Sequence, residues 1–458
     1  MDFLDFSVFF IWVFIVFIIF SFKKRKFENE FLKKYYIRSF YLRVISSLAY
    51  SIFVLYISPG DTTTLYYPEG LNIYNLILKD FSNISIIFEP SSNFNQSLLT
   101  NFSNLNYFNH EGNFMVTRFV SLFCFFTFGK FMAINFLFSM FAFTGLWRLY
   151  LFFYKQNNEL HKQFAIAILY LPSVIFWSSG ILKDSLCIGA LGWLTYSLYN
   201  VIIEKKKIFA NLLYFLIFSG MLYLLKSYIL FSYLPFFLLY FIFYKLQNLR
   251  KGIFKIAFVF LIFILSIALY LNASKTIEAS LSAFIEEGLV ESIQSYQSNY
   301  ESQANTSESN FSLGVEFNGT LPGLIKMAPA AIAATLFRPF IWESKKISTL
   351  LSSLESLALM LFTLYIIIKI GLFRFFKVIF SDPLIFYCFS FAIIFSLFVG
   401  ATTLNFGSLV RYKIPALPFY LSSLFLIYSL GKLRIEEKQK KDEKKSNLSF
   451  YKNENPAG

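Results

Sequence analysis

The chain has 458 residues, of which 57% are hydrophobic and only 15% are charged, and its mean hydropathy is +0.58. Soluble domains average about 45–50% apolar and about 25% charged residues, so this composition excludes an ordinary soluble domain. The net charge of +14 lies in short connectors between apolar runs. That distribution indicates membrane orientation and not a nucleic-acid partner.

Apolar runs of about 18–22 residues recur along the chain, and a helix of that length crosses the hydrocarbon core of a bilayer. The sequence therefore predicts an all-α polytopic membrane protein with about eleven transmembrane helices. These helices form one membrane domain over residues 1–433. The predicted spans are 3–22, 40–58, 131–153, 164–181, 185–203, 208–225, 227–244, 253–271, 347–368, 383–403 and 412–431.

The positions of the basic residues predict how these helices are oriented. The first apolar run is followed by "KKRK" at 23–26, and later basic connectors recur on the same predicted side of the membrane. Basic connectors face the cytoplasm. We therefore predict that the N-terminus lies outside and the C-terminus inside. The charged tail 434–458 is predicted to be a disordered cytoplasmic segment.

Two long polar segments, 59–112 and 272–346, are predicted to be external loops. Four apolar candidates follow the first loop, between 113 and 203, but passing from outside to inside requires an odd number of crossings. We expect the candidate 114–129 not to span, because it is short and carries Arg118. It is predicted to pack against protein as a shallow helix.

Ionisable side chains at the external ends of the spans are the candidate functional residues, because charged groups at membrane depth are costly and tend to mark functional sites. They occur in four stretches: Asp61 in "SPGDTTTLYYPEG" (58–70), Lys183 and Asp184 in "YLPSVIFWSSGILKDSL" (170–186), Arg338 and Glu343 in "APAAIAATLFRPFIWE" (328–343), and Arg411 and Lys413 in "LNFGSLVRYKIPALPF" (404–419).

Each of these residues also has a structural interpretation. Asp61 follows Pro-Gly, as turn residues often do. Lys183 with Asp184 as its partner fits a membrane-anchoring pair, and Arg338 and Arg411 fit contacts with lipid phosphates. Two external carboxylates together with several external cations form a more specific pattern. That pattern predicts a site for an anionic head group with acid–base or metal chemistry beside it.

A lipid-linked phosphosugar fits such a site, because its tail stays in the bilayer and its phosphate lies at the interface. The cations predicted to bind the donor phosphate are Lys183, Arg338, Arg411 and Lys413. Asp61 is predicted to be the general base and Asp184 a second catalytic carboxylate. A divalent cation, magnesium or manganese, held by these two carboxylates is an open option. Further candidate substrate contacts are Tyr66, Tyr67, Glu69 and Glu343.

Three stretches carry a resemblance: "GD" at 60–61, "FGKFMAINFLFSMFAFTGLWRLYLF" (128–152) and "LPSVIFWSSGILKDSL" (171–186). With them the chain resembles the GT-C superfamily of membrane glycosyltransferases over residues 50–205. Looser similarities lie in "LFRPFIWE" and "RYKIPALPF". The resemblance implies sugar transfer from a polyprenyl-phosphate donor to a glycan or lipid acceptor. It also implies a multi-pass protein of a bacterial inner membrane that acts in cell-envelope glycan synthesis. The first loop has one acidic residue where many members have two.

Two other classes stay open. The stretch "GDTTTLYY" (60–67) fits O-antigen and exopolysaccharide polymerases equally well, and these also hold lipid pyrophosphate with external arginines. A lipid-linked glycan flippase or transporter is the second alternative. Transporters are expected to place charged groups near the bilayer midplane. Here the predicted spans are almost free of them, apart from Arg43, Arg148 and Glu355.

The predicted orientation is testable by labelling with a membrane-impermeant thiol reagent. We expect cysteines introduced at Ser92 or Ser309 to be labelled from outside intact cells. Cysteines introduced at Lys206 or Lys440 should be protected, because the basic connectors face the cytoplasm. Labelling of position 206 from outside would overturn the layout.

Overall fold

The computed structural model describes residues 2–94, 98, 100–102, 111–247, 309–315, 321–344 and 346–454. These residues form an all-α structure in which no β-strand is described. Its helices are α1 (Phe3–Lys24), α2 (Glu30–Ile52), α3 (Tyr67–Lys79), α4 (Glu111–Thr127), α5 (Phe131–Gln156), α6 (Pro172–Trp177), α7 (Lys183–Tyr199), α8 (Ile208–Gln247), α9 (Leu321–Phe337), α10 (Ile347–Ile370), α11 (Leu372–Ile379), α12 (Pro383–Thr402), α13 (Phe406–Tyr412) and α14 (Leu417–Glu454). Short helical turns extend or connect them.

Seven of the described helices are long and apolar enough to cross a membrane, and an eighth span results if α13 and α14, bent by 62°, are counted together. The polytopic helical fold predicted from the sequence is therefore confirmed. The count differs from about eleven for three reasons. The predicted span 253–271 lies outside the described residues. The predicted pair 208–225 and 227–244 forms one element, α8, which is counted once although its helix is interrupted at Lys226. The predicted span 164–181 is not continuous.

Within α8 the chain turns back at Lys226, whose backbone leaves the helical region at φ −153° and ψ 79°. The ring of Tyr214, before the turn, lies 5.1 Å from the ring of Trp193 in α7. The hydroxyl of Tyr233, after the turn, donates to Thr195, also in α7, at 2.9 Å. A straight helix would separate the two tyrosines by about 28 Å. The two halves of α8 therefore lie side by side against α7.

The predicted span 164–181 is broken before Pro172, which begins α6 after an extended Leu171. Proline has no N–H to continue the preceding helix, so the chain changes direction there. After α6 the backbone forms an irregular turn that ends at Leu182, where α7 begins. A Cβ on Gly180 in this turn would lie 1.9 Å from the Tyr50 ring. Only glycine therefore fits between α2 and this turn.

Two charged side chains, buried Arg43 and half-buried Glu355, hold the short helix α6 at its ends. Arg43, 2% exposed, donates to the carbonyl oxygens of Ile175 and Ser178 at 3.3 Å and to the Ser178 hydroxyl at 2.6 Å. At the other end Glu355 accepts from the backbone N–H of Ser173 at 2.8 Å. A cation at the helix C-terminus and an anion at its N-terminus match the helix dipole. They also satisfy backbone groups that lipid cannot satisfy.

Two further segments bear on the sequence expectations. The helix α4 has 17 residues and is not among the described helices long and apolar enough to cross a membrane. The C-terminal helix α14 continues through Glu454, where the sequence predicts a disordered tail. The tail is rich in Lys and Glu, which are good helix formers. The pair Lys432–Glu436, one turn apart at 3.9 Å, adds a weak favourable contact.

The closest helix contact is the crossing of α5 and α7 at glycines. A Cβ on Gly145 would lie 1.9 Å from the carbonyl oxygen of Gly189, so Gly145→Ala must push the two helices apart. We expect it to destabilise the protein by about 1–3 kcal/mol. Gly220→Ala is the matched control, because nothing lies within 4 Å of its added Cβ. The thermal unfolding midpoint in detergent should fall for the first variant alone. Equal midpoints would contradict this packing.

Candidate functional site

The two ends of the helix bundle differ in composition. One end carries the basic connectors, as shown by the contacts of Lys155 with Glu204 at 3.7 Å and of Asn29 with Tyr154 at 2.9 Å. The opposite end holds the N-terminal residues, since the Asp2 carboxylate accepts from Lys130 at 2.9 Å. Most of the ionisable residues singled out in the sequence lie at this second end, called here the site end.

The centre of the site end is the carboxylate of Asp184, which is 2% exposed. Its Oδ1 accepts from the Lys226 ammonium at 2.7 Å, and its Oδ2 accepts from Nε of Arg411 at 3.3 Å. The carboxylate therefore joins the first turn of α7, the reversal of α8 and the helix α13. Both of its oxygens are engaged by cations.

Lys226 belongs to this cluster, although the sequence analysis did not single it out. Its ammonium also lies 4.1 Å from the centre of the Tyr412 ring, in a cation–π contact. The signal was present, because Lys226 is a lone cation between two apolar runs at a predicted external turn. The same departure from the positive-inside pattern had drawn attention to Lys183.

Asp61 is brought to the same end by the residue that follows it. The Thr62 hydroxyl donates to the carbonyl oxygen of Ile181 at 2.8 Å and accepts from the Tyr50 hydroxyl at 2.8 Å. Asp61 is close enough to Lys183 and Arg411 to interact with both electrostatically. The Asp61 side chain is half-buried, and no hydrogen bond or ion pair to it occurs among the described residues. Its carboxylate is therefore available to a ligand.

Arg411 presents its guanidinium edge in a defined direction. Nε is held by Asp184, and the side chain keeps 21% exposure. The two terminal nitrogens make no hydrogen bond to any described residue. An arginine oriented through Nε leaves a pair of parallel donors, which matches two oxygens of a phosphate.

Arg338 forms a second group nearby. Its guanidinium pairs with Glu343 through two nitrogens, donates to the carbonyl oxygen of Ser312 at 3.0 Å and lies 4.3 Å from the Phe311 ring. The Phe311 ring stacks on Phe406 at 4.4 Å, which begins the helix that carries Arg411. The described part of the second long polar segment, 309–315, therefore packs beside the site.

Lys413 lies inside the bundle and is 1% exposed. Its ammonium donates to the Ser356 hydroxyl at 2.8 Å and to the carbonyl oxygen of Arg338 at 3.2 Å. It also interacts electrostatically with Glu355. The structure therefore places Lys413 with the residues that hold α6 and does not bring it to Asp184.

Of the three predicted substrate contacts in the first loop, the two tyrosines bond to α4 and to the turn between α4 and α5, and the third, Glu69, is buried. The Tyr67 hydroxyl donates to the carbonyl oxygen of Gly129 at 2.8 Å, and burial raises the pKa of Tyr67 to about 12. The Tyr66 hydroxyl donates to Asn113 at 3.4 Å, and Glu69 is 2% exposed. The hydroxyls of Tyr66 and Tyr67 therefore hold the first loop against its neighbours and do not bond to Arg411.

The divalent cation that the sequence leaves as an open option finds little support in the described residues. In the described part of the chain, no group of three or more His, Cys, Asp or Glu side chains is placed to hold a metal ion. Asp184 presents both oxygens to cationic side chains, so only Asp61 of the two proposed ligands has free oxygens. The arrangement fits an anionic ligand better than a metal ion.

No protein-family model, no curated protein and no solved structure matches this chain. The functional interpretation therefore rests on the geometry of the site end.

The Asp184 cluster predicts a strong interaction between charges. Asp184→Asn leaves buried Lys226 and partly buried Arg411 without this counterion, so we expect a loss of about 3–5 kcal/mol in stability. Lys226→Met added to Asp184→Asn should recover part of that loss, because it removes one unpaired charge. The measurement is a double-mutant cycle on thermal unfolding in detergent. Strictly additive effects of the two substitutions would contradict a direct pair.

Proposed function

We propose that this chain is a membrane glycosyltransferase that takes a sugar from a polyprenyl-phosphate donor at the site end and transfers it to a glycan or lipid acceptor. The observation that carries the proposal is Arg411, held through Nε by buried Asp184 with both terminal nitrogens free. Beside it lies Asp61, a carboxylate without a partner among the described residues. Sugar transfer from a polyprenyl phosphate needs a cation that binds the donor's phosphate and a general base. Arg411 suits the first role and Asp61 the second.

The reaction assigns one role to each of these side chains. The Asp61 carboxylate accepts the proton of the acceptor hydroxyl as that oxygen attacks the anomeric carbon of the sugar. The bond from the anomeric carbon to the phosphate oxygen breaks, and the electron pair stays on the polyprenyl phosphate. The terminal nitrogens of Arg411 stabilise the negative charge that develops on that phosphate, and the nearby Lys183 adds a second positive charge.

Asp184 takes a different role from the catalytic one that the sequence suggested. A carboxylate that accepts from two cations is a poor base, because its charge is already stabilised. In this proposal Asp184 positions Arg411 and Lys226 and does not touch the substrate. Lys413 likewise supports the backbone around Arg338. The acid–base step is left to Asp61.

The test is an assay of the purified protein in lipid nanodiscs with labelled donors. Transfer of a single sugar from polyprenyl phosphate supports the proposal. Transfer of a whole glycan repeat from polyprenyl pyrophosphate would identify a polymerase instead. Movement of the lipid-linked glycan across the bilayer without transfer would identify a flippase. Either of the last two results, without sugar transfer from polyprenyl phosphate, rejects the proposal.

Asp61→Asn tests the assigned base. The amide keeps the shape of the carboxylate and removes its basicity, so we expect sugar transfer to fall by about 100-fold or more, with protein abundance unchanged. Asp80→Asn is the matched control, because Asp80 is an exposed carboxylate in the same external loop that only caps the turn at Ser82. Turnover of Asp61→Asn within a few-fold of the Asp80→Asn control would show that Asp61 is a turn residue.

A further inference from the structure

Another cation, without an ion pair among the described residues, lies near the opposite end of the bundle. Arg148 is in the spanning helix α5, about 12 Å along the helix axis from its last residue, Gln156. The guanidinium makes no hydrogen bond or ion pair with any described residue. A charge at such a depth is costly unless something compensates it.

The guanidinium is held in place by aromatic rings. It lies 4.6 Å from the centre of the Trp193 ring and 5.0 Å from that of Tyr196, both on α7. Trp193 is itself fixed, since its indole N–H donates to Thr144 at 2.9 Å and its ring stacks on Phe218 at 5.4 Å. Ring contacts occupy the faces of a guanidinium and leave the N–H donors of its edge free.

Lys155 extends the same positive surface by two helical turns. Its ammonium lies 5.1 Å from the Tyr196 ring and 5.4 Å from the Tyr199 ring. The nearest carboxylate, Glu204, is 3.7 Å from Lys155 but only 2.6 Å from Lys206. Glu204 is therefore mainly neutralised by Lys206, and the pair Arg148 and Lys155 keeps an excess of positive charge.

The rings that frame this pair adjoin an exposed apolar part of the bundle surface. Trp193 contacts the Tyr214 ring at 5.1 Å, on the first half of α8. The same half of α8 exposes large aliphatic side chains on the bundle surface: Leu213 (49%), Leu216 (58%) and Ile217 (52%). A ligand bound at Arg148 would therefore have the aliphatic surface of α8 for its acyl chains and the basic connectors at this end for its charge.

We propose that Arg148 and Lys155, framed by Trp193 and Tyr196, bind the phosphate of an anionic phospholipid in the leaflet at the basic end of the bundle. Arginine accommodates two phosphate oxygens, and basic pockets between membrane helices are suited to anionic head groups. The depth of Arg148 and the aliphatic surface of α8 favour a lipid over a soluble phosphate. This site is separate from the one at Arg411 and does not depend on sugar transfer.

The test is native mass spectrometry of the purified protein with phosphatidic acid, phosphatidylcholine or inorganic phosphate. We expect the wild-type protein to bind phosphatidic acid at least about tenfold more tightly than phosphatidylcholine. Arg148→Gln and Lys155→Gln should each remove most of this preference. Lys162→Gln is the matched control, because Lys162 is an exposed cation in a connector at the same end, and it should keep the preference.

Three results would overturn the proposal. The first is equal binding of phosphatidic acid and phosphatidylcholine by the wild-type protein, and the second is equal behaviour of Arg148→Gln and Lys162→Gln. Inorganic phosphate that competes with phosphatidic acid at equal concentration would indicate a soluble phosphate ligand instead. Arg148→Lys keeps the charge and loses the planar fork, so it should bind with intermediate strength if the protein folds. Elution of each variant as a single monodisperse species checks that it is folded.

Discussion

The site end depends on one buried charge, the carboxylate of Asp184. An ionised group taken out of water loses several kcal/mol of solvation, which only close partners can offset. Lys226 and Arg411 supply those partners, and they come from two other elements, the reversal of α8 and the helix α13. The requirement to neutralise Asp184 therefore fixes how three parts of the chain meet. It also fixes the direction in which Arg411 presents its free nitrogens.

The backbone between two spans at the same end is irregular, and further charged side chains satisfy its unpaired hydrogen-bonding groups. The chain from Pro172 to Leu182 is not a continuous helix, so backbone groups are left without helical partners. Arg43 and Glu355 supply hydrogen bonds to these groups, and Lys413 lies near Glu355. Irregular structure is tolerated there because protein and not lipid surrounds it. The intramembrane charges of this region are thus part of the framework that delivers Lys183 and Asp184.

The spans were predictable because a segment apolar enough to enter lipid must satisfy its own backbone hydrogen bonds, which a helix does. Hydropathy identifies such segments from the sequence alone. The gathering of Asp61, Asp184 and Arg411 near one another was anticipated from their shared position at external span ends. The partner of Asp184 was not, because the pairing with Lys226 arises only when α8 folds back on α7. Nor does sequence position separate Arg411 from Lys413, which lie two residues apart. Arg411 keeps 21% of its side chain exposed, whereas Lys413 is 1% exposed inside the bundle, and this difference appears only in the folded structure.

The ionisable groups discussed above fall into two classes: those whose polar atoms bond to the protein itself, and those that keep polar atoms free. Asp184, Lys413 and Arg43 have their atoms engaged by other parts of the protein, so their charges are balanced by the fold itself. Arg411 and Asp61 keep atoms free at the site end, and Arg148 does so near the basic end. A charged group near lipid is costly and tends to mark a functional site, so the polar atoms that the fold leaves free are candidates for binding a ligand or a head group. Under the two proposals, one phosphate binds at Arg411 beside Asp61, and another binds at Arg148, where no described carboxylate lies beside the guanidinium as Asp61 lies near Arg411. The first arrangement suits chemistry on a lipid-linked substrate, and the second suits only binding.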